Sequence, residues 1–481
     1  MYTNLLVALL LGTLLNRPAN AQPCNCPATL TKLADLIRRN YAGYADKITP
    51  ATKAKHERVY QSLLAKAATA KDLKTCGPLL EQYRAFWGDG HLQLGGLPSE
   101  EGSVRPQTYP LTEAQAKAYF VSGAAKLNPI EGFWSIDDAY KLAVVRNRNG
   151  PRNTFVGVVM SAQNPDWKPG MVKMTLRQAV GSYFDIHYTT GDFSTDSTEA
   201  VLQTNLLDVF KYGVFEKTFP TSAKPLVKAT FQSQFPQLAI DFRFPDDSTA
   251  VLKMLTFNLA AKPVVDSLLK LHKMALEARP NWIIDLRGNG GGGVSTFENV
   301  LPYLYTGPIV RDGSQYWLSP DNVRNYEASL GELSSAKVRV HFMNMVAQGK
   351  AKPNSWSDDP GDTLRFAAPT ANPRRVAVLA NKRTASSGEI FLMNARQSRK
   401  VTIFGTQTAG VVDYGDGTVH SLPCPDLKVV IPVRRSNYLN RVRYDGIGLA
   451  PDVRVPANER DWYGFVRKYW QKTGAAKKVN R

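Results

Sequence analysis

The sequence predicts an α/β protein, α+β overall: a core on a mixed, largely parallel sheet, an N-terminal helical region and a β-rich inserted domain. Three observations predict it. From about residue 235, strand-like apolar runs alternate with amphipathic helical segments, the pattern of right-handed crossovers on a parallel sheet. Residues 28–87 carry apolar positions at helical spacing. From about 130 to 190, short β-branched and aromatic runs stand between Asn, Gly and Pro turns.

Each element follows from its own stretch. In ATLTKLADLIRRNY, Leu30, Leu33 and Ile37 mark one helical face, and QSLLAKAATA and CGPLLEQYRAFW continue the bundle until Gly88-Asp89-Gly90 breaks it. DAYKLAVV, TFVGVVMSA, MVKMTL and YFDIHYTT read as antiparallel strands with a looser tail to about 230. LAIDFRF and TAVLKML flank a hairpin-like turn at Pro245-Asp246-Asp247-Ser248. PVVDSLLKLHKMALEA is an amphipathic helix, NWIIDL a buried strand, and VAVLAN, GEIFLMNARQS and VTIFG a strand–helix–strand unit. Residues 304–373, rich in Pro, Ser and Asn, are expected to be an irregular elaboration. The division along the chain is a signal peptide at 1–21, a helical region at 22–96, a β-rich insert at 97–230, the core at 231–470 and a basic tail at 471–481.

With 481 residues, 43% of them hydrophobic, the chain can bury a substantial core in two or three domains. LLVALLLGTLL at 5–15, followed by Ala19-Asn20-Ala21, has the hydrophobic run and small-residue cleavage site of a secretory signal and is too short to span a bilayer. The start Met-Tyr-Thr-Asn lacks the positive residues usual there. Export is expected, to the periplasm or beyond, with no stable membrane span. Four cysteines in an exported chain permit disulfides. Cys24 and Cys26 are too close to pair with each other, so one of them with Cys76 is the expected bridge. The isolated Cys424 argues against a zinc site, and no metal or organic cofactor is expected. The formal net charge of +19 suits anionic polymers or acidic substrates, while no helix-turn-helix, zinc-finger or aromatic-basic RNA motif supports nucleic-acid binding.

The stretch NKRTASSGEI (381–390) places Ser386 after a strand and before a helix that begins near Gly388. A nucleophile needs such a turn, exposed above the sheet with helix amides aimed at a developing oxyanion. Ser and Thr are equally at home as N-caps, so the stretch alone leaves both roles open. A hundred residues earlier, Asp285-Leu-Arg-Gly-Asn-Gly-Gly-Gly-Gly293 ends a buried strand in a loop that exposes backbone N–H groups. It lacks the Lys-Ser/Thr of a P-loop and the GxGxxG spacing of a dinucleotide site; an oxyanion hole uses the same physics.

DLRGNGGG, then TASSGEI, then GTQTAG (405–410) resembles the C-terminal processing peptidase and tricorn-core family over roughly the second half of the chain. The resemblance implies a ClpP/crotonase-like core and a serine peptidase acting on peptide or protein substrates. It implies Ser386 as the nucleophile, with oxyanion donors at Ser387 and at Gly290 or Gly291. The processing branch places a lysine after T-x-G; here Val411 follows Gly410, which points to the tricorn-like branch that uses histidine. Of six histidines, His91 in GDGHLQL matches that branch's D-G-H motif and is the expected base, with His420 as its rival. Gly90 stands where those relatives carry a helper serine. Asp445, shortly before Gly448-Leu-Ala-Pro-Asp452, takes the position of the glutamate that orients the imidazole; a plain turn former before Gly446 is its alternative. No PDZ signature is visible between the helices and the core, and the β-rich insert is expected to gate or select substrates. The competing function is a catalytically inactive peptide- or hydrophobic-ligand-binding protein on the same fold.

Overall fold

A computed structural model describes residues 24–97, 106–148, 150–178, 183–191, 193–209, 212–221, 240–332, 336–456, 459 and 461–479. The expected signal peptide lies outside the described residues. The chain forms two compact units. One contains residues 1–98, 315–357 and 414–435, and the other contains 99–314, 358–413 and 436–481.

The first unit joins the N-terminal helices to a small sheet. Helices Cys26–Asn40, Pro50–Ala67 and Leu73–Phe86 follow the expected pattern, and Leu30, Leu33, Ile37, Leu63 and Leu80 are buried along it. Asn25 and Asp72 cap the first and third through bonds to the amides of Ala28 and Thr75. Gln93–Gly95, directly after His91, pairs antiparallel with strand Lys428–Ser436, which also pairs with Tyr414–Ser421. Two disulfides staple this unit: Cys26–Cys76 and Cys24–Cys424. The first has the expected form. The second corrects the reading of Cys424 as isolated, because folding brings a turn near the end of the chain onto its beginning. The stretch 304–373 is also more regular than its composition suggests. It contains strand Ser314–Leu318, helices Pro320–Ser329 and Ala336–Ala351, and strand Ser355–Asp359. Leu318, Val323, Tyr326, Met345 and Val346 make its apolar core, and Pro320 occupies the first helical position, where no N–H is needed.

The second unit holds the parallel sheet. Its strand order is Ile240–Asp246, Thr249–Met254, Asn281–Asp285, Arg375–Ala380, Val401–Gly405 and Val453–Arg454, antiparallel only in the first pair. Successive side chains point to opposite faces, and both faces are covered. Trp282, Ile284, Val376 and Val378 pack with Val265, Leu268 and Phe391 of the helices on one side. Ile283, Ala377, Leu379 and Phe404 pack on the other against Trp462, Val466 and Trp470 of helix Trp462–Val479. The expected tail from 471 therefore continues a helix as far as Val479.

The β-rich insert is a closed eight-stranded antiparallel barrel from Gly132–Ile136 to Gly213–Phe219, filled by Trp134, Leu142, Val144, Met174, Phe184 and Phe215. The loose tail expected after residue 190 is instead three strands, Thr195–Gln203, Leu206–Val209 and Gly213–Phe219, which close the barrel. Closure removes every sheet edge, which short strands of weak sequence pattern do not reveal one at a time.

Candidate active site

Three hydroxyls stand in TASS, and packing separates their tasks. The Thr384 hydroxyl is fully buried and donates to the Leu286 carbonyl at 2.8 Å, tying the turn to the glycine-loop strand. Ser387 is 2% exposed. Ser386 alone of the three is partly exposed. It immediately precedes helix Ser387–Ala395, yet with φ 53° and ψ −123° it lacks the extended backbone of an ordinary N-cap. A non-glycine residue at positive φ costs about 1–3 kcal/mol and is held by its surroundings. Both sequence readings thus meet in one residue, at the cap position and in the strained turn of a nucleophile.

Glu389, one turn into the same helix, does much of the holding. Its fully buried carboxylate accepts from the Ser386 amide (3.1 Å), the Thr408 hydroxyl (2.5 Å) and the amides of Gly410 (2.9 Å) and Val411 (2.8 Å). The Val411 carbonyl in turn accepts from the Ser386 amide at 2.9 Å. Burial raises the Glu389 pKa, and these four hydrogen bonds oppose the rise. The sequence reading used Glu389 only as part of a motif and missed this role; the spacing Ser-x-x-Glu at a helix start is the signal that reports it.

The glycine loop lies against the turn. The Asn289 carbonyl accepts from the Ala385 amide at 2.9 Å, and Gly291, at φ 104°, approaches so closely that a Cβ there would stand 2.8 Å from the Ser386 Cβ. The Gly291 amide donates to Asn289 Oδ1 at 2.8 Å. The amides of Gly290 and Ser387 donate to no described residue. Of the two glycine alternatives, Gly290 keeps its N–H available, and Gly291 supplies the clearance.

Asp445 belongs to the same unit. Its Oδ1 accepts from the amides of Val412 and Asp413, each at 2.9 Å, and its own amide donates to Asp413 Oδ2 at 3.1 Å. The turn-former role is present as well, since the Gly446 amide donates to the Gly410 carbonyl at 2.9 Å. One loop, 408–413, therefore fastens both the serine turn and the Asp445 carboxylate.

His91 belongs to the first unit and is partly buried there. Its amide donates to Asp89 Oδ1 at 2.8 Å, and Asp89, buried, also accepts from the Tyr41 hydroxyl at 2.7 Å. Burial depresses the His91 pKa and Arg434 adds to this, against the opposing pull of Asp89, Asp416 and a hydrogen bond to Tyr414. A depressed pKa keeps the imidazole neutral near pH 7, the form that accepts a proton. The rival His420 lies in the same unit, with Nε2 2.9 Å from the Thr418 hydroxyl. It stands six residues along its strand from Tyr414, roughly 20 Å at about 3.3 Å per residue. The two histidines therefore cannot serve the same hydroxyl.

Residues 248–455 match the model of Peptidase family S41. Over that stretch, less than half of its length, the chain is similar to this family. No curated protein matches the chain. Among solved structures, a CPAF mutant is similar with a TM-score of 0.50 at 12% identity, covering 93% of this chain and 96% of that one. Tricorn protease gives 0.39 at 10% identity over 90% of this chain and 34% of its own. A crystal structure from Parabacteroides merdae gives 0.32 at 18% identity over 45% of this chain, which spans 57% of that protein's length. At these identities the structures bear on fold alone. Among the described residues no helix is long and apolar enough to cross a membrane.

Proposed function

We propose that this S41-like region cleaves peptide bonds through an acyl-enzyme on Ser386, with His91 as general base and Asp445 orienting it, in a protein exported to the periplasm or beyond. The observation that carries the proposal is the Ser386 turn: a partly exposed serine on a backbone at positive φ, beside the amides of Gly290 and Ser387, which donate to no described residue. In this reading Ser386 Oγ attacks the carbonyl carbon and its proton passes to His91. The tetrahedral oxyanion is held by the two amides, and His91 returns the proton to the leaving amine. Water then repeats the sequence on the ester. Support for His91 comes from its depressed pKa, which keeps the imidazole in the proton-accepting form near pH 7. The leader-like residues 1–21 and the two disulfides support export.

A fluorophosphonate probe tests the chemistry. The wild-type chain is expected to label, Ser386→Ala to lose labelling and about a million-fold in turnover, and His91→Ala to lose labelling while His420→Ala keeps it. Labelling that survives Ser386→Ala would sink the nucleophile. A wild-type chain that neither labels nor cleaves, yet binds peptides, would establish the ligand-binding function instead.

A further inference from the structure

The first unit contains a buried carboxylate to which the proposed chemistry assigns no task. Asp89 follows helix Leu73–Phe86 after the break at Gly88 (φ 55°), and its side chain has no exposure. Burying an ionised carboxylate is costly unless hydrogen bonds and an opposite charge answer it. Asp89 has the hydrogen bonds: Oδ1 accepts from the His91 amide at 2.8 Å and Oδ2 from the Tyr41 hydroxyl at 2.7 Å. Among the described residues it forms no ion pair with a lysine or arginine. Lys47, which reaches the same helix end, donates instead to the Trp87 carbonyl at 2.6 Å. The group within ion-pair distance that can carry positive charge is the His91 imidazole, whose Nδ1 stands 4.0 Å from Asp89 Oδ1.

The carboxylate is held in place from both sides. An aspartate that accepts from the amide two residues on forms a short turn, so the backbone of His91 hangs on the same oxygen that faces its ring. The far oxygen is fixed by Tyr41, whose buried ring lies 5.7 Å from that of Trp87 and 5.4 Å from that of Tyr414. Apolar surroundings strengthen the pull of a charge on its neighbour. The other charges acting on His91 come from strands Tyr414–Ser421 and Lys428–Ser436. There Asp416 works with Asp89 and Arg434 against it, and these two are bonded to each other at 2.7 Å. A hydrogen bond to the Tyr414 backbone also favours the protonated ring. Burial outweighs all of these in the resting imidazole, and Asp89 is the strongest of the groups that oppose it.

We propose that Asp89 is the counter-charge of His91, a positioning residue whose buried carboxylate stabilises the imidazolium formed when the ring takes the Ser386 proton. Asp89 stays ionised throughout; the proton comes from Ser386 Oγ and leaves with the amine. The use of the pair in cleavage rests on the proposed roles of Ser386 and His91, whereas the pairing itself is measured without turnover. In full-length Ser386→Ala protein, the His91 ring is titrated by NMR, its signal identified by its loss in a His91→Gln variant. Asp89→Asn keeps an oxygen for the His91 amide and removes the charge; Asp89→Glu keeps the charge and disturbs the turn. A negative charge beside the ring favours its protonated form, so Asn is expected to lower the His91 midpoint by about one pH unit and Glu to hold it nearer the parent value. A role confined to the turn gives the opposite order. In the active chain, Asp89→Asn should lower the acid limb of kcat/KM in parallel and reduce kcat about tenfold, with KM little changed. With no substitution at Asp89, its carboxyl 13C shift should inflect at the His91 midpoint, which keeps the test open if the Asn variant does not fold. A midpoint unmoved or raised by Asn overturns the pairing. So does one lowered as far by Glu as by Asn, or an Asp89 signal that ignores the His91 titration. A midpoint lowered in Ser386→Ala beside an acid limb that stays put in the active chain would leave the pair standing and remove His91 as the base.

Discussion

Thr384, Ser386 and Ser387 share one short stretch, and their chemistry differs because their burial differs. Only Ser386 combines partial exposure with a backbone that costs energy to hold, while Thr384 spends its hydroxyl on the Leu286 carbonyl. Burial does not by itself separate the histidines, since it lowers the pKa of His91, His420 and His56 alike. His91 carries a pKa lowered by burial and by Arg434, so the neutral base persists below the usual histidine value of about 6.5. Peptidase activity is therefore expected to lose its acid limb at a midpoint below about pH 6.5. Arg434 donates to Asp416 at 2.7 Å, and removing it both deletes a cation near His91 and releases Asp416 to act on it. Both changes favour the imidazolium. The kcat/KM profile of Arg434→Ala should move its acid limb to higher pH, and an unmoved or lowered limb would remove His91 from the role of base.

At the scale of elements, the helix Ser387–Ala395 and the loop 408–413 are held as one device by the Glu389 carboxylate. Glu389→Gln keeps the size but sets an NH2 among groups that donate, so at least one backbone amide loses its acceptor, at about 1–3 kcal/mol. The Ser386 turn would then be fixed less tightly. An error of about 1 Å in a reacting group costs roughly a hundredfold in rate. The expected outcome is a drop of that order in kcat and in probe labelling rate with KM little changed, read by steady-state kinetics. Equal labelling rates in variant and wild type would reduce Glu389 to a stabiliser of the fold. This element was half legible in the sequence. The Ser-x-x-Glu spacing and the strand–turn–helix order are local signals, but the partners Thr408, Gly410 and Val411 come from a loop some twenty residues on.

At the scale of the whole molecule, the two disulfides close loops with sequence separations of 50 and 400 residues around the unit that carries His91. Each cross-link restrains the unfolded chain by about 2–4 kcal/mol, with a weak dependence on loop length. Reduction with dithiothreitol is expected to lower the melting temperature by several degrees and to reduce peptidase activity, measured by calorimetry and by cleavage before and after reoxidation. Unchanged melting on complete reduction would show that the helices and the small sheet hold that unit without them. The 8-stranded barrel was legible only in part at this scale. Its first strands stand out by their β-branched and aromatic runs, whereas TDSTEAVLQ begins with a polar run and LLDV is only four residues long, and pairing back to Gly132–Ile136 closes the set.

What the sequence determined by itself is the local chemistry and periodicity: the order of strands and helices in the core, the glycine loop, the Ser386 turn and the placement of His91 after a broken helix. These depend on residues within a few positions of one another, where backbone sterics and side-chain spacing act directly. The tertiary structure decided which hydroxyl is exposed, which glycine keeps its amide, how Cys24 finds Cys424 and that the insert closes into a barrel. Each of these is a contact between distant segments, and such contacts exist only once burial of the core has brought those segments together.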